Sequence, residues 1–168
     1  SSSLRADGEV QVEDMIYNGA WMDRLDADVH VRGGRIEMTD MRLLRPEGTA
    51  GGRLVVDLDE NQVDMDLESS IHPRALTKMA GRTVEEALSV LYLRGNADVR
   101  LDGVAAYERP DDSRLAGTFD ARDVGIGVFD SQRVRGRLRL DGRTAHVDEL
   151  DAELYGGTLR GDLAFLLP

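Results

Sequence analysis

The residues with the clearest potential for chemistry lie between Asp57 and Glu68. Asp57, Asp59 and Asn61 have the spacing of oxygen ligands in a calcium-binding loop, and Glu68 stands where such a loop has its bidentate ligand. However, Gln62 replaces the glycine of the sharp turn, and both flanks alternate between apolar and charged residues as strands do. Alternation by itself places acids two residues apart. The segment is therefore predicted to be a β-hairpin with a charged outer face, and calcium binding is the less favoured alternative.

The three histidines, which are the other candidates for metal binding or acid–base catalysis, occur in unrelated contexts. His30, His72 and His146 have no carboxylate or second histidine at the spacing that metal ligands need. His30 and His146 alternate with apolar neighbours, which predicts solvated strand residues. The sequence contains no serine nucleophile elbow, no zinc-protease motif and no glycine-rich nucleotide loop. We therefore expect no enzymatic activity, no catalytic residues, no metal site and no cofactor.

Composition narrows the class of partner. The 168 residues carry a net charge of −11, which argues against binding to nucleic acid or to an anionic membrane surface. No cysteine is present, so disulfides and thiolate metal sites are excluded. No apolar run is long enough to span a bilayer, and no signal peptide is recognisable. We expect residues 1–168 to form a single globular domain that is a fragment of a longer chain, because the sequence stops in the middle of an alternating pattern.

Alternation with a period of two residues dominates the chain and predicts β-strands. Asx-Gly and Gly-Gly pairs between the alternating runs suit tight hairpin turns, which makes neighbouring strands antiparallel. The fold class that follows is mainly β, a strongly twisted antiparallel sheet that forms an open groove or an incomplete barrel. The predicted strands cover residues 9–16, 25–32, 35–44, 51–58, 62–69, 96–106, 115–126, 133–141, 144–154 and 158–166.

One segment departs from this pattern and predicts a helical insert at about 72–92. Pro73 suits the first position of a helix, and Gly81 suits a helix end. Thr83 and Glu86 have the spacing of a capping box at the start of a second helix. Apolar residues recur along both segments at helical spacing, so we expect this pair of helices to cover the apolar face of the sheet.

An internal repeat relates residues 24–58 to residues 133–167 without a gap, at an offset of 109. Gly33 then aligns with Gly142, and Gly48 with Gly157, while apolar positions align with apolar positions between them. One such unit cannot bury its apolar face alone, so copies must pair or stack. The repeat predicts two segments of the same strand–turn–strand–turn–strand shape, with these glycines in equivalent turns.

The apolar residues of the strands are the candidates for a binding surface. Alternation cannot distinguish a filled core from the wall of an open trough, because both keep one face of the sheet away from water. Large aromatic residues are few and aliphatic residues are many, which suits contact with flexible hydrocarbon but also suits a plain core. Both alternatives stay open. The candidate lining residues are Val29, Val31, Met38, Met65, Leu67, Leu138, Leu140 and Val147.

Several motifs of the chain resemble AsmA-like proteins, including those related to TamB. Their units consist of an apolar strand, an Asp-Gly turn, a strand that ends in a Tyr/Gly-Gly turn, and a strand with a Leu-x-Gly motif. The matching segments here are Leu138–Gly142, Leu154–Gly157 and Leu159–Gly161, and Leu93–Gly103 resembles the middle section of the same family. The similarity covers about residues 20–167. In the first repeat copy, Pro46–Gly48 replaces the Tyr-Gly-Gly motif.

The resemblance implies a cell-envelope module of outer membrane biogenesis that lies in the periplasm. Such a protein is anchored to the inner membrane through a segment that this fragment lacks, and it has neighbouring repeats in the same longer chain. It implies an apolar β-groove that binds or conducts phospholipid acyl chains between bacterial membranes, with no catalytic residues. The alternative is a structural or assembly module of the envelope with a filled core and no ligand.

Overall fold

The computed structural model describes residues 4–17, 19–75, 91–106, 108–126 and 129–166. It confirms a mainly β, antiparallel, open sheet with a groove-like form. Ten strands follow one another across the sheet in chain order, except that the three-residue β6 lies outside this path and pairs with β8. The strands are β1 (Arg5–Tyr17), β2 (Ala20–Arg32), β3 (Arg35–Arg45), β4 (Gly48–Asp57), β5 (Gln62–Ser69), β6 (Leu91–Leu93), β7 (Ala97–Ala106), β8 (Arg114–Ile126), β9 (Phe129–Asp141), β10 (Thr144–Leu154) and β11 (Gly157–Leu166).

The segment with calcium-loop spacing forms the β4–β5 hairpin, as predicted. Asp57 pairs with Gln62 at the end of the ladder, and the Asp57 Oδ1 atom accepts hydrogen bonds from the backbone N–H groups of Asp59 (3.1 Å) and Glu60 (3.0 Å). Asn61 then closes the turn with a left-handed φ of 54°. The first carboxylate of the motif therefore caps a turn between two strands, a common role of aspartate in such turns.

The prediction of a helical insert at about 72–92 is wrong for its last two residues, Leu91 and Tyr92, which form a strand. Residues 73–75 form one helical turn, and residues 76–90 lie outside the described part of the chain. Leu91–Leu93 form β6, which pairs with Val124–Ile126 of β8. The ladder between β7 and β8 stops at the Ala97–Ala121 pair. The backbone N–H and C=O groups of β8 beyond Asp123 therefore have no partner in β7, and β6 pairs with them instead. Backbone pairing with β8 therefore overrides the local helical pattern at Leu91 and Tyr92.

The structural repeat is longer than the one visible in the sequence. The bounds of β1, β2, β3 and β4 reappear in β8, β9, β10 and β11, each shifted by 109 residues. Gly33 and Gly142 both have φ of 60° in equivalent two-residue turns, and Gly48 and Gly157 both begin the last strand of their unit. The first strand of each unit escaped the sequence comparison because β1 and β8 share few residues.

Irregularities of the sheet also recur in the two units. The register between β3 and β4 shifts between Met38 and Met41, and the register between β10 and β11 shifts between Val147 and Leu150. In each unit, the last residue inside this shift has a left-handed φ: 49° at Asp40, just before Met41, and 53° at Glu149, just before Leu150. Because bulges of this kind increase strand twist, both units bend the sheet at the same place.

Buried apolar residues form two separate clusters. The first cluster lies on β7 to β10 and the second on β2 to β4 together with the chain just after β5. Small residues dominate the first cluster, so its strands lie under a thin layer of side chains. The first cluster comprises Ala97, Ala121, Val124, Val134 and Ala152, and the second comprises Met22, Leu43, Ile71 and Ala75.

Candidate functional site: the apolar face of the sheet

Cross-strand pairing places the predicted lining residues on one face of the sheet. Directly opposed residues of antiparallel strands project to the same face. Val29 pairs with Met38, and Leu138 pairs with Val147. The pairs continue from Met38 through β4 to Met65 and from there across β7 and β8 to Leu140. All eight candidates, Val29, Val31, Met38, Met65, Leu67, Leu138, Leu140 and Val147, therefore lie on this face, which we call the apolar face.

The apolar face is neither a filled core nor a fully solvated surface. Val147 is buried, whereas the other seven candidates are half-buried. Among the described residues, the strands contact mainly their hydrogen-bonded neighbours and the short 3-10 turn Pro110–Asp112, so no second sheet packs on this face. Contact of these residues with a ligand stays a prediction.

An open cavity of about 1100 Å³ crosses the sheet from β3 to β11. Three consecutive residues at each of eight strands form its wall, with Ser70 just beyond the end of β5, and the middle residue of each triplet belongs to the apolar face. A flat row of eight strands would extend about 34 Å, so the cavity is a trough that runs across the strands. The middle residues are Leu43, Ala50, Ser69, Val99, Phe119, Gly136, Leu150 and Gly161.

Small side chains create the depression. Ala50, Ser69, Gly136 and Gly161 occupy four of the eight positions of the middle row, and the backbone is uncovered by any side chain of its own at the two glycines. The ring of Phe119 extends over Gly136, where an added Cβ atom would come within 3.0 Å of the ring. The middle row of the wall is therefore mostly aliphatic with one aromatic ring, and charged residues such as Arg135, Asp151 and Arg160 flank this row in the same wall.

The opposite face carries ladders of paired charges. Arg53 contacts Glu37 and Asp64 on the two neighbouring strands, and Asp151 contacts both Arg135 and Arg160. Most of these side chains are more than a third exposed, so each pair contributes little to stability. Together they make this face suitable for water, which fixes the apolar face as the one that avoids it.

One ion pair of the charged face shifts a pKa distinctly. The Arg133 guanidinium donates hydrogen bonds from Nε (2.8 Å to Oδ1) and Nη2 to the Asp120 carboxylate. This hydrogen bonding, followed by the positive charges of Arg133, Arg122 and Arg135, outweighs partial burial and lowers the pKa of Asp120 below its usual value. The same contact raises the pKa of Arg133.

The Asp120→Asn variant should be slightly less stable than the wild type at neutral pH, and the difference should shrink at acidic pH. A lowered pKa in the folded state stabilises the fold above the unfolded pKa, and this contribution disappears as the pH falls through the folded value, below about pH 4. The loss at pH 7 should be at most about 1 kcal/mol, because the pair is about one-third exposed. Urea unfolding at pH 7 and pH 3, with exposed Asp102→Asn as control, measures it. An equal loss at both pH values would contradict the assignment.

The other candidates for chemistry do not assemble into a site. His30 Nδ1 lies 2.8 Å from Asp7 Oδ1 on the charged face, and this hydrogen bond is the largest cause of a lowered pKa of Asp7. Among the described residues, His72 has hydrogen-bond contacts with the backbone groups of Arg74 and Arg94. In the described part of the chain, no three metal-ligating side chains converge. Its helical content also includes no segment with the length and apolarity needed to cross a membrane.

Comparison with known proteins adds no relative. The chain matches no protein-family model, no curated protein and no solved structure. No family is assigned. The resemblance to AsmA-like proteins therefore stays a prediction from the sequence motifs, and the site must be interpreted from its own geometry.

The sequence prediction missed the trough, because none of the eight candidates lines it. Leu43, Val99, Phe119 and Leu150 line it but were not among the eight candidates. The same alternation that selected the candidates extends to these residues in each strand, so the signal was present. What the sequence could not give was the row at which small residues from several strands meet.

Proposed function

We propose that this chain is a non-enzymatic module whose apolar face binds phospholipid acyl chains. The observation that carries the proposal is the apolar face of the described strands, which holds an open trough of about 1100 Å³ and, outside that trough, seven of the eight candidates only half-buried. A protein that leaves a contiguous apolar surface partly exposed usually has an apolar ligand or partner for it.

The energetics favour long hydrocarbon over small polar ligands. Each methylene that leaves water contributes roughly 0.8 kcal/mol, so about ten methylenes against the trough would contribute roughly 8 kcal/mol before entropic costs. The middle row of the wall carries no charged side chain, so the acyl chain lies along this row, between the charged residues that flank it. The charged ladders of the other face keep the module in water.

The cellular setting of the proposal comes from the AsmA-like resemblance. The module then lies in the periplasm and is anchored to the inner membrane through a segment outside residues 1–168. Neighbouring repeats of the same longer chain extend the trough, and phospholipid moves between membranes along it. The structure-based part of the proposal, binding of acyl chains, does not depend on this setting.

The Leu140→Asn variant tests the proposal against a structural module with a filled core. Leu140 lies half-buried on the apolar face, so an amide there should oppose an acyl chain by about 1–3 kcal/mol and reduce lipid binding about tenfold. The purified chain is incubated with phosphatidylethanolamine vesicles and re-isolated, and bound lipid is measured by native mass spectrometry. Stability of the variant in urea should change by less than about 1 kcal/mol.

Arg139→Asn provides the matched control, because Arg139 is the chain neighbour of Leu140 and belongs to the opposite, charged face. This variant should bind lipid as the wild type does. If the wild type binds no lipid and Leu140→Asn loses several kcal/mol of stability, the apolar face is a core and the envelope module is structural.

A further inference from the structure

One aromatic ring lies in the middle row of the trough. Phe119 of β8 is the aromatic residue of that row, and it is paired directly with Gly136 of the neighbouring strand β9. An added Cβ atom at Gly136 would lie 3.0 Å from Phe119 Cε1 and 3.1 Å from Phe119 Cζ. The far end of the ring is therefore seated on the backbone of Gly136, and the ring leans across the strands, along the direction of the trough.

The ring has a packed side and a side that faces the trough. Phe119 packs against the buried cluster of β7 to β10, as do Val99 and Leu150 of the same middle row. Along the apolar face of β8, its neighbours are Gly117 and Ala121, which have little or no side chain. Phe119 is only half-buried and belongs to the wall of the cavity. A large side chain among small ones therefore sets the local depth of the trough.

The repeat shows that this pair is particular to the second unit. At the offset of 109 residues, Phe119 and Gly136 correspond to Val10 and Ala27, which are also paired directly. The same place in the sheet thus accepts an aliphatic pair, so the fold does not require a ring over a glycine there. An aromatic ring over a glycine can also serve stability alone. The two roles differ in what they predict for ligands of different length.

The ring divides the middle row into two stretches. Adjacent strands lie about 4.8 Å apart, so Leu43 is about 19 Å from Phe119 on one side and Gly161 is about 14 Å from it on the other. An extended acyl chain advances about 1.25 Å with each carbon–carbon bond. A chain of sixteen carbons, about 19 Å long, fills the longer stretch and reaches the ring, whereas a chain of eight carbons, about 9 Å long, fits beside it.

We propose that Phe119 determines the length of acyl chain that the trough accepts, and that Gly136 positions the ring so that long chains pass over it. This inference rests on the proposed function, because it assigns a chain-length preference to the same trough. With no side chain at position 136, the ring stays low against the backbone of β9. A side chain at this position displaces the ring into the row, where it obstructs chains that extend beyond β7.

Gly136→Ala tests the position of the ring. The probes are lysophosphatidylethanolamines with one chain of eight or of sixteen carbons, and binding to the purified chain is measured by native mass spectrometry. The variant should bind the sixteen-carbon lipid about fivefold more weakly than the wild type, because the added Cβ atom displaces the ring. Its binding of the eight-carbon lipid should change by less than about twofold. An equal loss for both chain lengths would contradict a role in length selection.

The double variant Phe119→Val with Gly136→Ala provides a rescue, because it installs the pair that Val10 and Ala27 form in the first unit. It should bind the sixteen-carbon lipid within about twofold of the wild type, although it keeps the added methyl group. If the ring served stability alone, removing it would recover no binding. A double variant that binds this lipid as weakly as Gly136→Ala therefore overturns the inference.

Gly161→Ala is the matched control. It adds the same methyl group to the same row, at a place where nothing lies within 4 Å of the added Cβ atom. Its binding of both lipids should equal that of the wild type, and urea unfolding checks that each variant is folded. If the wild type binds neither lipid, the proposed function itself fails. If the wild type binds lipid and Gly136→Ala binds the sixteen-carbon lipid equally well, only the role of Phe119 and Gly136 is overturned.

Discussion

Gly52→Ala should destabilise the fold by about 2–4 kcal/mol, whereas Gly161→Ala should change its stability by less than about 0.5 kcal/mol. Gly52 has a φ of 135°, a conformation that residues with a side chain rarely adopt. Its added Cβ atom would meet backbone atoms of β5, 2.0 Å from the Asp66 oxygen and 3.0 Å from the Leu67 Cα atom. Backbone in the middle of a ladder cannot give way as a flexible side chain can.

The two variants form a matched pair, because the same substitution is made at equivalent positions of the two units. They differ in whether a described strand lies beside the glycine, as β5 does beside Gly52, and in backbone conformation, because only Gly52 of the two has a positive φ. Urea or thermal unfolding of both, followed by circular dichroism, measures the difference. Equal effects at the two positions would mean that the register described for β4 and β5 is wrong. Gly103, with a φ of 128° and an added Cβ atom 2.1 Å from the Arg114 oxygen, should behave as Gly52 does.

The strand pattern could be predicted closely because its causes are local. Alternation and turn glycines are properties of adjacent residues, and the ten predicted strands lie within a few residues of the observed ones. The position of β6 could not be predicted in this way. Leu91 and Tyr92 form a strand because β8 offers a free edge beyond Ala121, and β8 is more than thirty residues away in the chain.

The repeat is a second example of structure that local sequence patterns do not predict. β1 and β8 have matching bounds and a left-handed residue at equivalent places, Asp14 and Asp123, although their sequences differ widely. Backbone pairing holds these strands in the sheet, β1 beside β2 and β8 beside β9. Such pairing accepts many different side chains. Sequence comparison therefore finds the strands whose turns require glycine and misses those that no such turn constrains.

The choice between core and trough also depends on non-local facts. Alternation shows that Leu138 and Leu140 share a face with apolar neighbours, and this is correct. Whether that face is covered depends on the number of layers in the fold, which no single strand encodes. The structure provides one layer in the described residues, and the small residues Ala50 and Gly136 meet in one row only after eight strands are aligned. The candidate site is thus predictable as a face but not as a trough.

Ile71→Ala should destabilise the fold by about 2–5 kcal/mol, because it removes a fully buried side chain and leaves a cavity. Ile71 is 0% exposed and follows directly after β5, where the chain leaves the sheet. Its side chain packs with Met22, Leu43 and Ala75, and its N–H group donates to Ser69 Oγ at 3.1 Å. This cluster therefore resembles an ordinary core even though the trough beside it is open.

Leu163→Ala is the control for Ile71→Ala, since it truncates an aliphatic residue that is 54% exposed on β11 and should cost less than about 1 kcal/mol. Unfolding in urea gives both values from the shift in midpoint at constant slope. A neutral Ile71→Ala variant would contradict the packing of the second cluster. A large loss of stability in Ile71→Ala together with a small loss in Leu140→Asn would show that one part of the apolar face stabilises the fold and another part does not. The buried cluster around Ile71 then holds the fold, and the half-buried part of the apolar face is available to bind a ligand.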